Sequence, residues 1–192
     1  MASPIAHALA GYLISRVIPC ARQHEGWTIA GLCSFLAVSP DLDFLPGLLQ
    51  GQPALYHQGI SHSLGFAVLV SFLLAFFYGR GRANWSLGGL FFLASGSHLI
   101  IDVLGPDTRP PYGIPLFWPL SEQHYLAPFQ LFRGFHHAEA TSDSTGAWAS
   151  NIMDLYNVGT IVIELAVFLP FILILQYRGR RILLRGGTDS HQ

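Results

Sequence analysis

From Trp85 to Leu104 the chain runs through about twenty apolar or small residues, enough to cross a bilayer, and the only ionisable groups in that run are His98 and Asp102. Four residues apart on a helix, they stand one turn above the other on a single face. An imidazole and a carboxylate so placed can reach one metal ion together, or one can orient the other. Charge inside an apolar span is costly and marks a functional site by default; the bland alternative is a buried histidine partnered by a helical aspartate. The composition agrees with a span. Of 192 residues 51% are hydrophobic and 11% charged, with a mean hydropathy of +0.42, whereas a soluble domain carries about 25% charged residues. The fold class expected is an all-α, polytopic membrane helix bundle in one domain. A net charge of -1 and the lack of any basic stripe exclude nucleic acid as a partner. Cys20 and Cys33 form neither a metal spacing nor a disulfide framework.

Four to five apolar helices follow from the pattern. Ser3-Pro4 is a helix start, with Ser3 as cap and Pro4 at the first position, and Pro4 to Ile18 reads as the first helix, ending at Pro19. No basic region precedes it, so it does not read as a signal peptide. The second helix spans about Trp27 to Val38 and stops at Ser39-Pro40, before a turn-rich stretch from Asp41 to Gly47. A loop carries His57 to His62; the third helix is expected from about Ser63 to Gly79 and the fourth from Trp85 to Leu104. A long outer loop, 105–150, rich in Pro and aromatics, leads to a fifth helix from about Ile152 to Tyr177. Residues 1–178 form the membrane domain, and 179–192, with His191, read as a polar, mobile tail. The loop aromatics Tyr112, Phe117, Trp118, Tyr125, Phe129 and Phe132 favour the membrane–water boundary, as a flap over the site or a plain interfacial connector.

All cations are arginines. Arg16 and Arg22, Arg80 and Arg82, and Arg178, Arg180, Arg181 and Arg185 fall on one side if the five segments span, and that side is expected to be cytoplasmic. His7, Asp41, Asp43, His57, His62, His98 and Asp102 then gather at the opposite, extracytoplasmic end, delivered by four separate segments. Helices one and two are short, about 22 and 18 Å at 1.5 Å per residue against a hydrocarbon layer of about 30 Å. His7 and Asp41 are therefore expected below the outer interface, where a site could face a lipid-linked substrate.

Four histidines and three aspartates exceed what one zinc ion needs, since a catalytic zinc takes three protein ligands. A pair of ions about 3.5–4 Å apart would use the whole set. The mixed nitrogen and oxygen donors suit zinc, with manganese or iron as alternatives. The chemistry expected is a water acidified by the metal, its pKa falling from about 15.7 to near 7, that attacks an ester or phosphoester. An aspartate not bound to the metal, Asp43 or Asp102, is the expected general base.

The segments Ala6-His7-Ala8-Leu9-Ala10-Gly11, Ser39-Pro40-Asp41-Leu42-Asp43, His57-Gln58-Gly59-Ile60-Ser61-His62-Ser63, Ser97-His98-Leu99-Ile100-Ile101-Asp102 and Gly113-Ile114-Pro115-Leu116-Phe117-Trp118-Pro119-Leu120-Ser121 occur in this order. Together they closely resemble the YdjM-like membrane-bound metal-dependent hydrolases, also described as LexA-regulated inner membrane proteins. The resemblance covers roughly residues 1–121 and implies a multi-pass bacterial or archaeal inner-membrane protein with a metal site at the matching His and Asp positions. Gln58 stands where the family commonly has Arg, and Ser61 where it commonly has Thr. The first departure removes a cation that could hold an anionic substrate; the ligand positions remain.

Other ionisable groups read differently. His124, His136 and His137 in the outer loop are expected in solvent or in a lid rather than on the metal. Arg109 could bind an anion but a lone loop arginine faces water, Glu139 is expected to be solvated, and Asp154 lies near enough to join the site or merely to favour a helix N-terminus. Glu164, deep in helix five, is expected to be structural and not catalytic, paired with Arg16 or held as a protonated acid. Two other functions compete with a hydrolase: a metal or proton transporter, which should bind at the midplane on interrupted helices in two related halves, and a non-catalytic protein stapled by its metal. No internal repeat is evident. The partners expected are the lipid bilayer and a lipid-linked or phosphoester substrate, with the oligomeric state open.

Overall fold

The structure is a computed structural model that describes residues 1–19, 26–52, 55–82, 84–107, 110–136 and 152–186. Cys20, Arg22, Arg109, His137, Glu139, His191 and the loop from 137 to 151 lie outside the described residues, as do the side chains of Arg178, Arg180, Arg181 and Arg185. Among the described residues six α-helices make the bundle: α1 (Pro4–Val17), α2 (Gly26–Val38), α3 (Phe44–Leu49), α4 (Leu64–Tyr78), α5 (Trp85–Val103) and α6 (Leu155–Gly186). Their starts are set locally. The Ser3 hydroxyl accepts from the Ala6 N–H at 3.3 Å, the Ser63 hydroxyl from Phe66 at 3.1 Å, and the Asn84 side chain from Leu87 at 3.1 Å.

Helix α5 is the axis. It packs on α1, α2 and α4, while α1 also packs on α2 and α6. The inside is lined by small residues, among them Ala6, Ala37, Ala67, Ala75 and Ala94, while many of the large apolar side chains, such as Phe77, Leu69, Ile100 and Leu173, point outward. That is how helices pack when the surroundings are as apolar as leucine and close backbone approach supplies the attraction. Gly11 shows it: a Cβ there would collide with the Cys33 carbonyl on α2.

Among the described residues three stretches are long and apolar enough to cross a membrane, Gly26–Leu49, Trp85–Val103 and Leu155–Tyr177. Helices α1 and α4, with 14 and 15 residues, reach only about 21–23 Å. The first long stretch departs from the sequence expectation. Instead of ending at Pro40 in a loop, the chain tightens into a 3-10 turn over Ser39–Asp43 and continues as α3. Pro40 has no N–H, so it interrupts the ladder without ending the rod. A second difference is at the other end, where α6 continues past Tyr177 to Gly186.

The outer loop is tied down over the end where α5 finishes. Ala127 N–H donates to the Val103 carbonyl and Leu131 N–H to that of Leu104, both at 2.9 Å, and Leu64 N–H donates to Leu116 at 2.9 Å. The backbones of Ile114 and Tyr125 exchange bonds of 3.1 and 2.9 Å.

Candidate metal centre

Each ligand-bearing side chain arrives by a different local device. His98 and Asp102 are one turn apart on α5 and both buried. The His98 Nδ1–H donates to the Ala37 carbonyl at 2.8 Å. Pro40 supplies no N–H to Leu36 as its i−4 partner, and none to Ala37 at the i−3 spacing of the 3-10 turn it opens. The Ser39 hydroxyl takes the Leu36 carbonyl at 2.9 Å, and His98 takes the other. With Nδ1 so engaged, Nε2 presents its lone pair to the interior. His62 ends the 3-10 turn Ile60–His62 before the α4 cap. Its Nδ1 lies 3.1 Å from Asp43 Oδ2 and 3.0 Å from the Ser61 hydroxyl, which again leaves Nε2 facing inward. Asp41 enters from the broken helix, its Oδ1 3.5 Å from His62 Nε2 and 3.6 Å from His98 Nε2. Asp102 Oδ2 is 3.0 Å from His98 Nε2 and 3.5 Å from His62 Nε2.

One donor atom from each of Asp41, His62, His98 and Asp102 lies within 4.8 Å of all the others. His7, in the first turns of α1, stacks on His98 with centroids 3.9 Å apart, and its Nε2 is 3.4 Å from Asp102 Oδ1. Asp41 Oδ1, His62 Nε2, His98 Nε2, both Asp102 oxygens and both His7 ring nitrogens are buried without a hydrogen-bond partner. Leaving one such group unsatisfied costs about 1–3 kcal/mol, more when charged, so an arrangement that concentrates them suits a cation at the centre. Two imidazole nitrogens and two carboxylate oxygens are the donor set of a zinc-like divalent ion. The residues fit a metal.

The neighbouring group is built otherwise. Asp43 Oδ1 lies 2.8 Å from His57 Nδ1, and its Oδ2 accepts from the Ser61 hydroxyl at 2.8 Å besides meeting His62. Asp43, His57 and His62 also lie close enough to share an ion, but here the carboxylate is already saturated by protein donors. His57 stacks on Phe44 at 3.6 Å, and its Nε2 is 2.7 Å from the Met1 sulfur. Burial pushes the His57 imidazole below its usual pKa, against the pull of its bond to Asp43. Burial opposes charge on His62 too, but the carboxylates of Asp41, Asp43 and Asp102 around it outweigh it and raise its pKa to about 10.

All seven His and Asp positions singled out in the sequence thus converge on one end of the bundle, opposite Arg16, Arg80 and Arg82. His124 is exposed and away from the cluster. His136 and Asp154 face each other at 4.0 Å, both about half exposed, outside it. Glu164 is a correction. It meets not Arg16 but Ser3 at the opposite end of α1, accepting from the Ser3 N–H at 2.9 Å and from the Ser3 hydroxyl, while the Arg16 guanidinium lies over the Tyr12 and Trp27 rings. A carboxyl at a helix N-terminus meets the positive end of the helix dipole. Met1, the Ala37 carbonyl and Ser61 also belong to the site, though none carries a ligand-type signal in the sequence. Only Ser61 left a trace, as part of the His57–Ser63 motif.

The sequence profile of the YdjM inner membrane protein family matches residues 1–182. The inner membrane protein YbcI of Escherichia coli (strain K12) is 35% identical over 107 residues, 51% of this chain and 57% of that protein. The chain thus spans little more than half the length of the curated relative it matches. No solved structure matches.

Proposed function

The chain belongs to the YdjM inner membrane protein family, and from that premise we propose that it is an integral membrane metal-dependent hydrolase of phosphoesters or other esters, acting at the extracytoplasmic face on a lipid-linked substrate. The observation that carries this reading is the convergence of buried, hydrogen-bond-free nitrogen and oxygen atoms from Asp41, His62, His98 and Asp102. His7 stands next to the same pocket. A divalent ion such as zinc, held by those four residues, would polarise the scissile group and acidify a water. The protein's own part is orientation. The Ala37 carbonyl fixes the tautomer of His98, Asp43 and Ser61 fix that of His62, and Asp43 in turn holds His57. Asp43 is thereby a positioning residue, and Asp41 and Asp102 are the carboxylates that face the reacting region. The arginines at the far end support a cytoplasmic assignment for that end. The shortness of α1 supports a site recessed below the interface: Ser3 meets Glu164 roughly two and a half turns into α6.

One observation favours a transporter instead: Asp41 sits at the break of an interrupted membrane helix. The ligands nevertheless cluster toward one end of the bundle, and the sequence has no second, related half. Elemental analysis of the purified protein decides first, with His98→Ala and His62→Ala alongside. About one equivalent of zinc or manganese in the wild type, lost in both variants, is expected; near-zero metal in all three rejects the metal centre. Hydrolysis of generic phosphodiesters and lipid extracts with added metal then supports the enzyme, and metal flux into proteoliposomes without hydrolysis supports the transporter.

A further inference from the structure

At the same end of the bundle a second arrangement stands outside the ligand cluster. The segment from Arg133 to His136 runs beside the first turns of α6 and is fastened there through its backbone. Asn157 brackets His136, accepting from its N–H at 2.7 Å and donating to its carbonyl at 2.8 Å. The Thr160 hydroxyl donates to the Gly134 carbonyl at 3.1 Å and the Tyr156 hydroxyl to the Arg133 carbonyl at 2.9 Å. Asn157 and Thr160 are fully buried, so this attachment does not use the side chains of Arg133 and His136. Both of those are exposed, and both rest on Tyr156. The Arg133 guanidinium carbon is 4.3 Å from the ring centroid, and the His136 ring is stacked at 3.9 Å and 4°. Stacking on a fixed ring restricts long side chains before any ligand arrives, which lowers the entropy lost on binding. The acidic group facing them is Asp154, 4.0 Å from His136 Nδ1.

The segment that carries the pair is tied to the end of the bundle that holds the ligand cluster. Phe135 N–H donates to the Met1 carbonyl at 2.7 Å, and the Met1 sulfur lies against His57, the partner of Asp43. On its other side, α6 presents exposed apolar side chains, Leu155, Val158, Val162 and Ile163, starting beside Tyr156. We propose that Arg133 and His136, held on Tyr156, form an anion-recognition element at this end of the bundle and take the phosphate of a membrane-anchored phosphoester. The proposal rests on the hydrolase reading and narrows its substrate from esters in general to anionic phosphoesters. A guanidinium offers phosphate two parallel N–H donors, which a point charge cannot, and the apolar flank of α6 suits the acyl chains below it.

The test is calorimetric titration of the full chain in dodecyl maltoside micelles, its metal content measured on the same samples. Dihexanoyl phosphatidic acid and glycerol 3-phosphate are the probes, and wild type, Arg133→Ala and Arg133→Lys are compared. The wild type should bind phosphatidic acid more tightly than glycerol 3-phosphate. Arg133→Ala should weaken phosphatidic acid by about tenfold or more, the range for a hydrogen bond to a charged group, and Arg133→Lys should fall between, all three retaining metal. Indifference of binding to Arg133→Ala, or no binding of either probe, overturns the proposal, and equal affinity for the two probes overturns its membrane-anchored part. Absence of metal from the wild type would instead strike the hydrolase reading itself, so the two failures are distinguishable.

Discussion

Two carboxylate–imidazole groups lie side by side at one end of the bundle, and they differ in what their atoms are given to bind. In the group of Asp41, His62, His98 and Asp102, the inward-facing atoms approach one another at 3.0–3.6 Å without making hydrogen bonds. In the adjoining group, Asp43 is saturated by His57, His62 and Ser61. Burial is similar in both, and so is residue type. The difference lies in what stands around each: the inward-facing atoms of one meet only one another, while a serine and a second histidine fill the other. Composition names candidate ligands, and hydrogen-bond saturation separates ligands from the residues that aim them.

The strongest way to break that distinction is to remove an unsaturated atom. Asp102→Ala should lower metal affinity by more than about 100-fold, beyond the 10–100-fold range of outer partners, measured by competition with a chromogenic chelator. A change below tenfold would mean that Asp102 is no ligand. Next in size is Asp43→Asn, which should weaken binding within that 10–100-fold range while the stoichiometry stays at one ion. A fall from two ions to one would instead make Asp43, His57 and His62 a second metal site and erase the contrast. Chelation should destabilise the wild type by about 2.7 kcal/mol if the ion had been present at a hundredfold excess over its Kd. The same treatment should leave Asp102→Ala unchanged in thermal unfolding.

How much of this was visible beforehand depended on whether the cause was local. The caps Ser3, Ser63 and Asn84 act within three residues, and the His98–Asp102 pair needs only helical periodicity, so these elements of the fold and site follow from the sequence. The continuation of the rod through Ser39–Leu49 does not, because Pro-Asp-x-Asp fits a turn as well as a 3-10 break, and only packing against α5 decides between them. Roles were less legible than membership. That Asp43 orients and Asp41 faces inward depends on which hydroxyl and carbonyl stand nearby, information that the sequence carries only through the tertiary fold. Glu164 failed for the same reason: a membrane carboxylate could seek the arginine of α1 or its N-terminus, and those lie at opposite ends of one helix. Glu164→Gln keeps a hydrogen-bonding side chain but alters its charge, and should cost about 1–3 kcal/mol in denaturant unfolding without changing metal stoichiometry. Loss of the ion with that variant would tie the Ser3 clamp to the site through His7.

The smallest expected effect is also the finest probe of the contrast. The Ser61 hydroxyl donates to Asp43 Oδ2 at 2.8 Å and lies 3.0 Å from His62 Nδ1, so it touches the orienting group and none of the inward-facing atoms. Ser61→Ala removes one neutral-to-charged hydrogen bond, about 1.5–3 kcal/mol at most, while Asp43 retains both imidazoles. Metal affinity should therefore fall less than in Asp43→Asn, and Ser61→Thr, which keeps the hydroxyl, should restore it. If Ser61→Ala lost as much affinity as Asp102→Ala, the separation between the atoms that bind and the atoms that aim would collapse, because a residue with no inward-facing atom would then count as much as a ligand.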